Sequence, residues 1–292
     1  MKKNTVLIAG IVSNEARNLR SEIARLNKAI GSSSTIFWII IESDSTDNTL
    51  EVLEQMKKRY TNFEYQSLGN LKKLIPIRTE RLAFCRNKYL DYMREIQRKE
   101  NIEYLIVSDF DKTNSRLTTK HIENCLQLEQ DWSAIFASQK YFYYDLWAFR
   151  HSKLCPYDIH KKVSELMRMD ITLRHIYFKE IIKRMYIISR KKGLLEVESA
   201  FGGLAIYKSK YINKNIKYVG LDSDGNEMCE HLSINIELSK NAPNLYINAD
   251  LVNHNINDRV WQSLFRWFVY LIVPNFLALK IHNYQFQRQA KR

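Results

Sequence analysis

Residues 5–12 (TVLIAGIV) and 36–41 (IFWIII) are unbroken apolar runs of strand length. Such runs suit parallel strands covered on both faces, because neither side of the pleat needs polar residues. Between them, apolar or small residues at 16, 19, 23, 26, 29 and 30 recur at close to helical spacing. A second amphipathic stretch opens at Asp47-Asn48-Thr49 and runs through Leu50, Val52, Leu53 and Met56. A strand is expected at Phe63–Ser67, a long helix at 79–98 and a further strand at 103–107. Strand, helix, strand, helix, strand is the signature of a doubly wound α/β sheet. Regular structure is expected again at 198–207 and 245–252. Only eight Gly and four Pro occur in 292 residues, too few punctuators for a turn-rich all-β chain.

Apolar residues make up 45% of the chain and charged residues 26%, which excludes wholesale disorder. The start, MKKNTVLIAGIVSNEARNL, carries a short apolar run with no small-residue cleavage site after it, so it reads as a first strand and not a signal peptide. Cys85, Cys125, Cys155 and Cys229 lie far apart without a CxxC pair. That spacing fits neither a zinc module nor a disulfide framework, and reduced thiols of a cytoplasmic protein are expected.

The net charge of +13 is concentrated. Residues 153–192 hold eleven Lys/Arg against four Asp/Glu, and residues 256–292 hold six against one, leaving the rest almost neutral. Basic surfaces of this kind attract nucleic acid, anionic lipid or an acidic substrate. Residues 151–192 are expected to form helices or a mobile excursion, inserted into a main domain at 1–255. The segment 260–279 (VWQSLFRWFVYLIVPNFLAL) would just span a bilayer, but Gln262, Arg266, Pro274 and Asn275 argue against it. An in-plane anchor on an anionic membrane surface is expected for 256–292, with Arg288, Lys291 and Arg292 behind it. A core helix or a homodimer interface are the alternatives.

The strand at 103–107 runs straight into Asp109-Phe110-Asp111. Two carboxylates one residue apart repel each other and resist burial. A divalent cation between them removes that cost, and so does plain exposure to water. Ligands of α/β sheets bind at the carboxyl ends of strands, where both this pair and Asp44 fall. Mg2+ or Mn2+ suits such acids, commonly held by one or two carboxylates together with substrate phosphates.

The order of blocks VLIAGIVSNE (6–15), ESDSTDNT (42–49), RTERLAFCRN (78–87) and DFD resembles a GT-A glycosyltransferase. YYDLWAFR (143–150), SAFGGLAIY (199–207) and CEH (229–231) sharpen the likeness to fungal capsule-associated (cryptococcal-type) mannosyltransferases and related bacterial surface-polysaccharide glycosyltransferases, over about 1–255. The resemblance implies a GT-A fold, a Rossmann-like doubly wound mixed sheet with a C-terminal helical segment. It implies a donor site at Gly10, Asn14, Glu42, Asp44 and Asp109, with Arg78, Arg81 and Arg86 near the diphosphate. Asp109 and Asp111 would hold Mn2+ or Mg2+, joined by His254. Tyr144, Trp147, Gly202 and Gly203 would lie on the acceptor side, with Glu230 as general base and Asp145 in reserve. A retaining reaction would need no such base. Glu42-Ser43 stands where the commonest pattern has two aspartates, so a UDP-sugar and a GDP-sugar both stay open as donor.

The function so implied is transfer of a sugar from a nucleotide-diphosphate donor to a lipid-linked or saccharide acceptor, in the cytoplasm at the inner face of a bacterial membrane, for lipopolysaccharide or capsule. A nucleotidyltransferase of the same α/β class would use the same paired acids and metal. A nucleic-acid-binding protein is the third reading; no zinc module or RNP-type signature accompanies the charge, so no nucleic acid partner is expected.

Overall fold

The computed structural model describes residues 3–31 and 34–290, with side chains described to 284. Eight strands among these residues form one sheet: β1 (Asn4–Val12), β2 (Ser34–Glu42), β3 (Phe63–Ser67), β4 (Tyr104–Ser108), β5 (Ala134–Gln139), β6 (Leu194–Val197), β7 (Leu204–Lys208) and β8 (Leu245–His254). Their order is β3-β2-β1-β4-β7-β5-β8-β6. The first four are parallel, β7 runs antiparallel between β4 and β5, β8 is parallel to β5, and β6 is an antiparallel edge.

The apolar run of β1 is explained by its place between β2 and β4. Val6 and Ile8 face a layer that includes Leu19, Ile23 and Leu26 of α1 (Ala16–Gly31) and Val52 and Leu53 of α2 (Thr49–Arg59). Leu7 and Ala9 face the opposite layer, with Tyr89, Leu90 and Met93 of α3 (Arg78–Ile96). Two side chains per repeat, one to each covered face, leave no polar position at 6–12. The helix α4 (Thr119–Leu126) lies against α1 and β8.

β5 was not expected from the sequence. All six of its residues are buried, yet Ser138 and Gln139 interrupt its apolar pattern. The side-chain nitrogen of Gln139 is held inside the fold, donating to Gly202 O at 3.1 Å and Asn253 Oδ1 at 3.2 Å. The strand expected at 198–207 is shorter than the sequence suggests and begins at Leu204, because Gly202 and Gly203 take φ of 68° and 88°, outside strand geometry.

The basic stretch 151–192 contains α5 (Ile159–Leu166) and α6 (Leu173–Glu180). It is pinned by Arg184, which donates to Glu180 Oε2 at 3.1 Å and Leu154 O at 2.8 Å. After α7 (Glu230–Asn241), the chain ends in α8 (Asp258–Ile272) and α9 (Asn275–Ala290). The break falls before Pro274, where Val273 is extended as residues preceding proline tend to be. α6 packs on both C-terminal helices: Tyr177 meets Tyr270 edge-on at 5.3 Å, Phe178 stacks on Trp267 at 5.1 Å, and Leu173 N donates to Asn275 Oδ1 at 2.8 Å. The two basic segments are therefore one packed unit. Among the described residues no helix is long and apolar enough to cross a membrane.

Candidate active site

A cleft of about 280 Å3 opens at the carboxyl ends of β1, β2 and β4. Its floor is made by the continuation of β4. Asp109 and Asp111 line the cleft, with Phe110 between them, 2% exposed. Asp109 N donates to Gly203 O at 2.9 Å, and Asn114 Nδ2 donates to Asp109 O at 3.0 Å. Lys112 takes φ of 69° to turn the chain, and Thr113 Oγ1 donates to Asp111.

Burial pushes the Asp109 carboxyl up to about 7, Asp111 adds to the rise, and Arg86 and Arg259 oppose it. Burial also raises Asp145, against Arg259 and the Gly202 N–H, which donates to Asp145 Oδ2 at 3.0 Å. The ion pairs of the cleft are Arg81 with Asp44 at 3.7 Å and Arg86 with Glu230 at 2.9 Å. Among the described residues neither Asp109 nor Asp111 joins one.

The four arginines of the cleft divide by what already holds them. Arg81 donates to Ile75 O at 2.8 Å and Pro76 O at 3.1 Å. Arg86 lies between Phe201 and Tyr218, 5.5 and 5.7 Å from their ring centroids. The guanidinium groups of Arg78 and Arg259 also line the cleft, without a hydrogen bond or ion pair among the described residues. Arg259 sits 5.5 Å over the Tyr144 ring. Burial alone would lower its pKa, yet Tyr144, Asp109, Asp145 and Asp111 together hold it above its ordinary value. A rigid fork with free donors is what a phosphate group binds.

Of the residues expected from the sequence, Asp44, Arg78, Arg81, Arg86, Asp109, Asp111, Asp145, Trp147 and Glu230 converge on this cleft. Others support it from outside. Gly10 lies beneath Phe110, where a Cβ would come within 2.3 Å of the ring, so packing by itself already requires its smallness. Asn14 accepts from Thr46 N at 2.8 Å and Asp47 N at 3.3 Å, and Glu42 accepts from Ser45 N at 3.0 Å and from Ser67 Oγ; both tie down the β2–α2 loop at the rim. Gly202 and Gly203 pack closely against Ala137 O and Thr113, where a Cβ would meet them at 2.6 and 2.2 Å, and their backbone anchors Asp145 and Asp109. Tyr144 is a platform for Arg259.

His254 lies beside the loop that follows Asp111 and outside the lining of the cleft: its Nδ1 is 2.6 Å from Ser115 Oγ, and Arg116 N donates to the neighbouring Asn253 O at 2.8 Å. Among the described residues no group of three His, Cys, Asp or Glu is placed to hold a metal.

Sequence reading missed Arg259 and His231. Arg259 is the second residue of α8, far along the chain from the motifs, and no spacing signals it. His231 is 3% exposed, stacked on Phe201 at 3.7 Å, with neither ring nitrogen hydrogen-bonded. Burial, then Arg86, push its pKa well below the ordinary imidazole value, so the ring is neutral. Its Nε2 lies 3.7 Å from Glu230 Oε1.

A mixed sheet of this order with its cleft at the ends of the parallel strands is the fold of GT-A glycosyltransferases. A mannosyltransferase from Pyrobaculum calidifontis, solved with GDP-Man and Mn2+, superposes with a TM-score of 0.53 at 11% identity, covering 91% of this chain and 61% of that one. Residues 1–349 of S. aureus TarS, solved with UDP, give a TM-score of 0.50 at 11% identity, covering 94% of this chain and 68% of that one. The chain thus spans under two thirds of the length of the first. No protein-family model matches the chain, and no curated protein matches it.

Asp109 and Asp111 fit a divalent cation of the open type. They are two carboxylates one residue apart, one resisting ionisation, and among the described residues neither forms an ion pair with a protein cation. Mg2+ and Mn2+ accept such a partial protein shell because substrate phosphates complete it.

Proposed function

We propose that the protein is a divalent-metal-dependent glycosyltransferase, moving a sugar from a UDP- or GDP-sugar to a saccharide or lipid-linked acceptor in bacterial surface-polysaccharide synthesis. The observation that carries this reading is one cleft lined together by Asp109, Asp111, Arg78 and Arg259, the two arginines without a hydrogen bond or ion pair among the described residues. That arrangement receives a diphosphate from both sides: arginines bind phosphate oxygens, and the acid pair takes the cation that accompanies them. The cation, when bound, supplies neutralisation of the charge that develops on the leaving nucleoside diphosphate.

The remaining chemistry belongs to the chain. The acceptor hydroxyl attacks the anomeric carbon as the bond from that carbon to the phosphate oxygen breaks. If configuration inverts, the hydroxyl proton passes to a carboxylate on the acceptor side. Asp145 suits this better than Glu230, since its raised pKa makes it the stronger base, whereas Glu230 is clamped by Arg86. Trp147 lines the same side of the cleft and offers an apolar face for a sugar ring. Incubation with UDP- and GDP-sugars and Mn2+ tests the reading: release of the nucleoside diphosphate, lost in Asp111→Asn, supports it. Turnover of none of them, or release of pyrophosphate, contradicts it.

A further inference from the structure

The helix α8 is apolar on two sides, and only one side has a partner. Val260, Leu264 and Tyr270 pack inward on the core and on α6. Trp261, Phe265, Phe268 and Ile272 follow the i, i+4, i+7, i+11 spacing of a single helical stripe, and they are 59, 67, 57 and 66% exposed. On α9, Phe276 and Tyr284, each 66% exposed, add to the apolar surface. Scattered exposed apolar side chains need no explanation, but a continuous aromatic stripe marks an interaction surface.

What surrounds the stripe identifies its partner. α6 packs on both α8 and α9, and the turn Ile182–Arg184 packs on α8, so this part of the basic segment 153–192 borders the surface. Arg168, Arg174, Lys179, Lys183 and Lys280 are exposed there. We propose that the α8–α9 face docks in the plane of an anionic lipid bilayer, aromatic side chains at the headgroup level and the basic residues of α5–α6 against lipid phosphates. Aromatic residues on one side with Lys and Arg beside them compose an interfacial helix, and anionic headgroups draw the basic cluster toward the surface. A second copy of this chain is the poorer partner, because a two-fold contact would bring the same positive segment against itself. The break before Pro274 limits α8 to Asp258–Ile272, too short to cross the bilayer.

The docking carries a consequence that rests on the glycosyltransferase reading. Arg259, which lies over Tyr144 in the cleft, is two residues before Trp261 on the first turn of α8. A docked α8 therefore holds the cleft beside the lipid surface, where a lipid-linked acceptor would be presented.

The test is co-sedimentation of the full chain with phosphatidylcholine vesicles, with and without phosphatidylglycerol, at low and high salt. Wild type is expected on the anionic vesicles only, released by salt, with a blue shift of tryptophan emission as Trp261 leaves water. Phe265→Ser/Phe268→Ser, at outward positions, should weaken binding about tenfold or more while melting and donor binding stay as in wild type. Arg174→Glu/Lys179→Glu should weaken it without touching the aromatic stripe. Three results overturn the proposal: no binding to anionic vesicles, binding indifferent to both double variants, or a wild-type dimer that Phe265→Ser/Phe268→Ser makes monomeric while neither binds lipid. Sedimentation reads no sugar transfer, so failure of the enzymatic reading leaves this result interpretable, and the reverse.

Discussion

Nε of Arg86 donates to Oε1 of Glu230 at 2.9 Å, joining the middle of α3 to the first turn of α7 beneath the cleft. Both side chains are nearly sealed from solvent, at 5 and 6% exposure. Truncating one partner of such a pair leaves the other as an uncompensated buried charge, at a cost of roughly 3–5 kcal/mol. Glu230→Ala and Arg86→Ala should each lower the melting temperature substantially. The apolar pair Arg86→Met/Glu230→Leu should recover most of the loss. Thermal denaturation of the three variants distinguishes this support role from a free general base.

Arg78 and Arg259 should act chiefly on the ligand. Arg78 is engaged by no hydrogen bond or ion pair among the described residues, so Arg78→Ala should leave melting near wild type; Arg259→Ala removes the charge over Tyr144 and beside Asp109 and Asp145 and should lower it modestly. A hydrogen bond to a charged group contributes about 1.5–3 kcal/mol, so each should weaken binding of a nucleoside diphosphate by about tenfold to a hundredfold. Calorimetric titration of UDP and GDP measures this, alongside Arg81→Ala, which should lose stability as well because Arg81 bonds Ile75 O and Pro76 O.

Asp109 gives the chain a pH signature. Its folded carboxyl titrates at about 7 against 3.8 for the free group. A carboxyl raised on folding contributes stability that is complete below the lower value and is lost as pH rises through the higher one. Glu15, Glu22 and Asp145 are also raised by burial, so the comparison with Asp109→Asn isolates the term. Between pH 5 and 8 the difference in melting between Asp109→Asn and wild type should grow in favour of the variant. Mn2+ should bind wild type more tightly as pH rises past about 7, since the cation and the proton compete for the same carboxylate.

Gly10 tests whether the first strand's end packs or binds. In Gly10→Ala the new Cβ would meet Phe110 Cε2 at 2.3 Å and Ser108 O at 2.6 Å. Phe110 has to move, and Asp109 and Asp111 flank it. Overpacking of this kind costs about 1–3 kcal/mol. Lower melting together with weaker Mn2+ binding is expected; unchanged melting with lost nucleotide binding would mean instead that Gly10 contacts the donor.

β1 and β2 were legible because strands covered on both faces carry unbroken apolar runs, here at 6–12 and 36–41. β5 is equally buried but hides in the sequence, since Ser138 and Gln139 have partners inside the fold that no pattern of hydrophobicity announces. The acids of the cleft were legible for the same reason as the strands: a carboxylate pair at the end of a buried run is conspicuous. Arg259 and His231 were not, because their place depends on α8 and α7 returning to the parallel-strand ends. The end of a strand does not say what surrounds it: His254 ends β8, with β7 and β5 between it and β4, and still meets the loop after Asp111 through Ser115.

The most direct measurement is binding of UDP and GDP, with and without Mn2+, to wild type and to Asp111→Asn. Asp111 is exposed, and an asparagine keeps an acceptor for Thr113 Oγ1, so the variant should melt as wild type does without ligand. The account predicts that one nucleoside diphosphate binds wild type tightly only with the cation present, and that Asp111→Asn loses this dependence together with most of the affinity. Wild type that binds neither nucleotide under any condition, or a variant indistinguishable from it, would contradict the account.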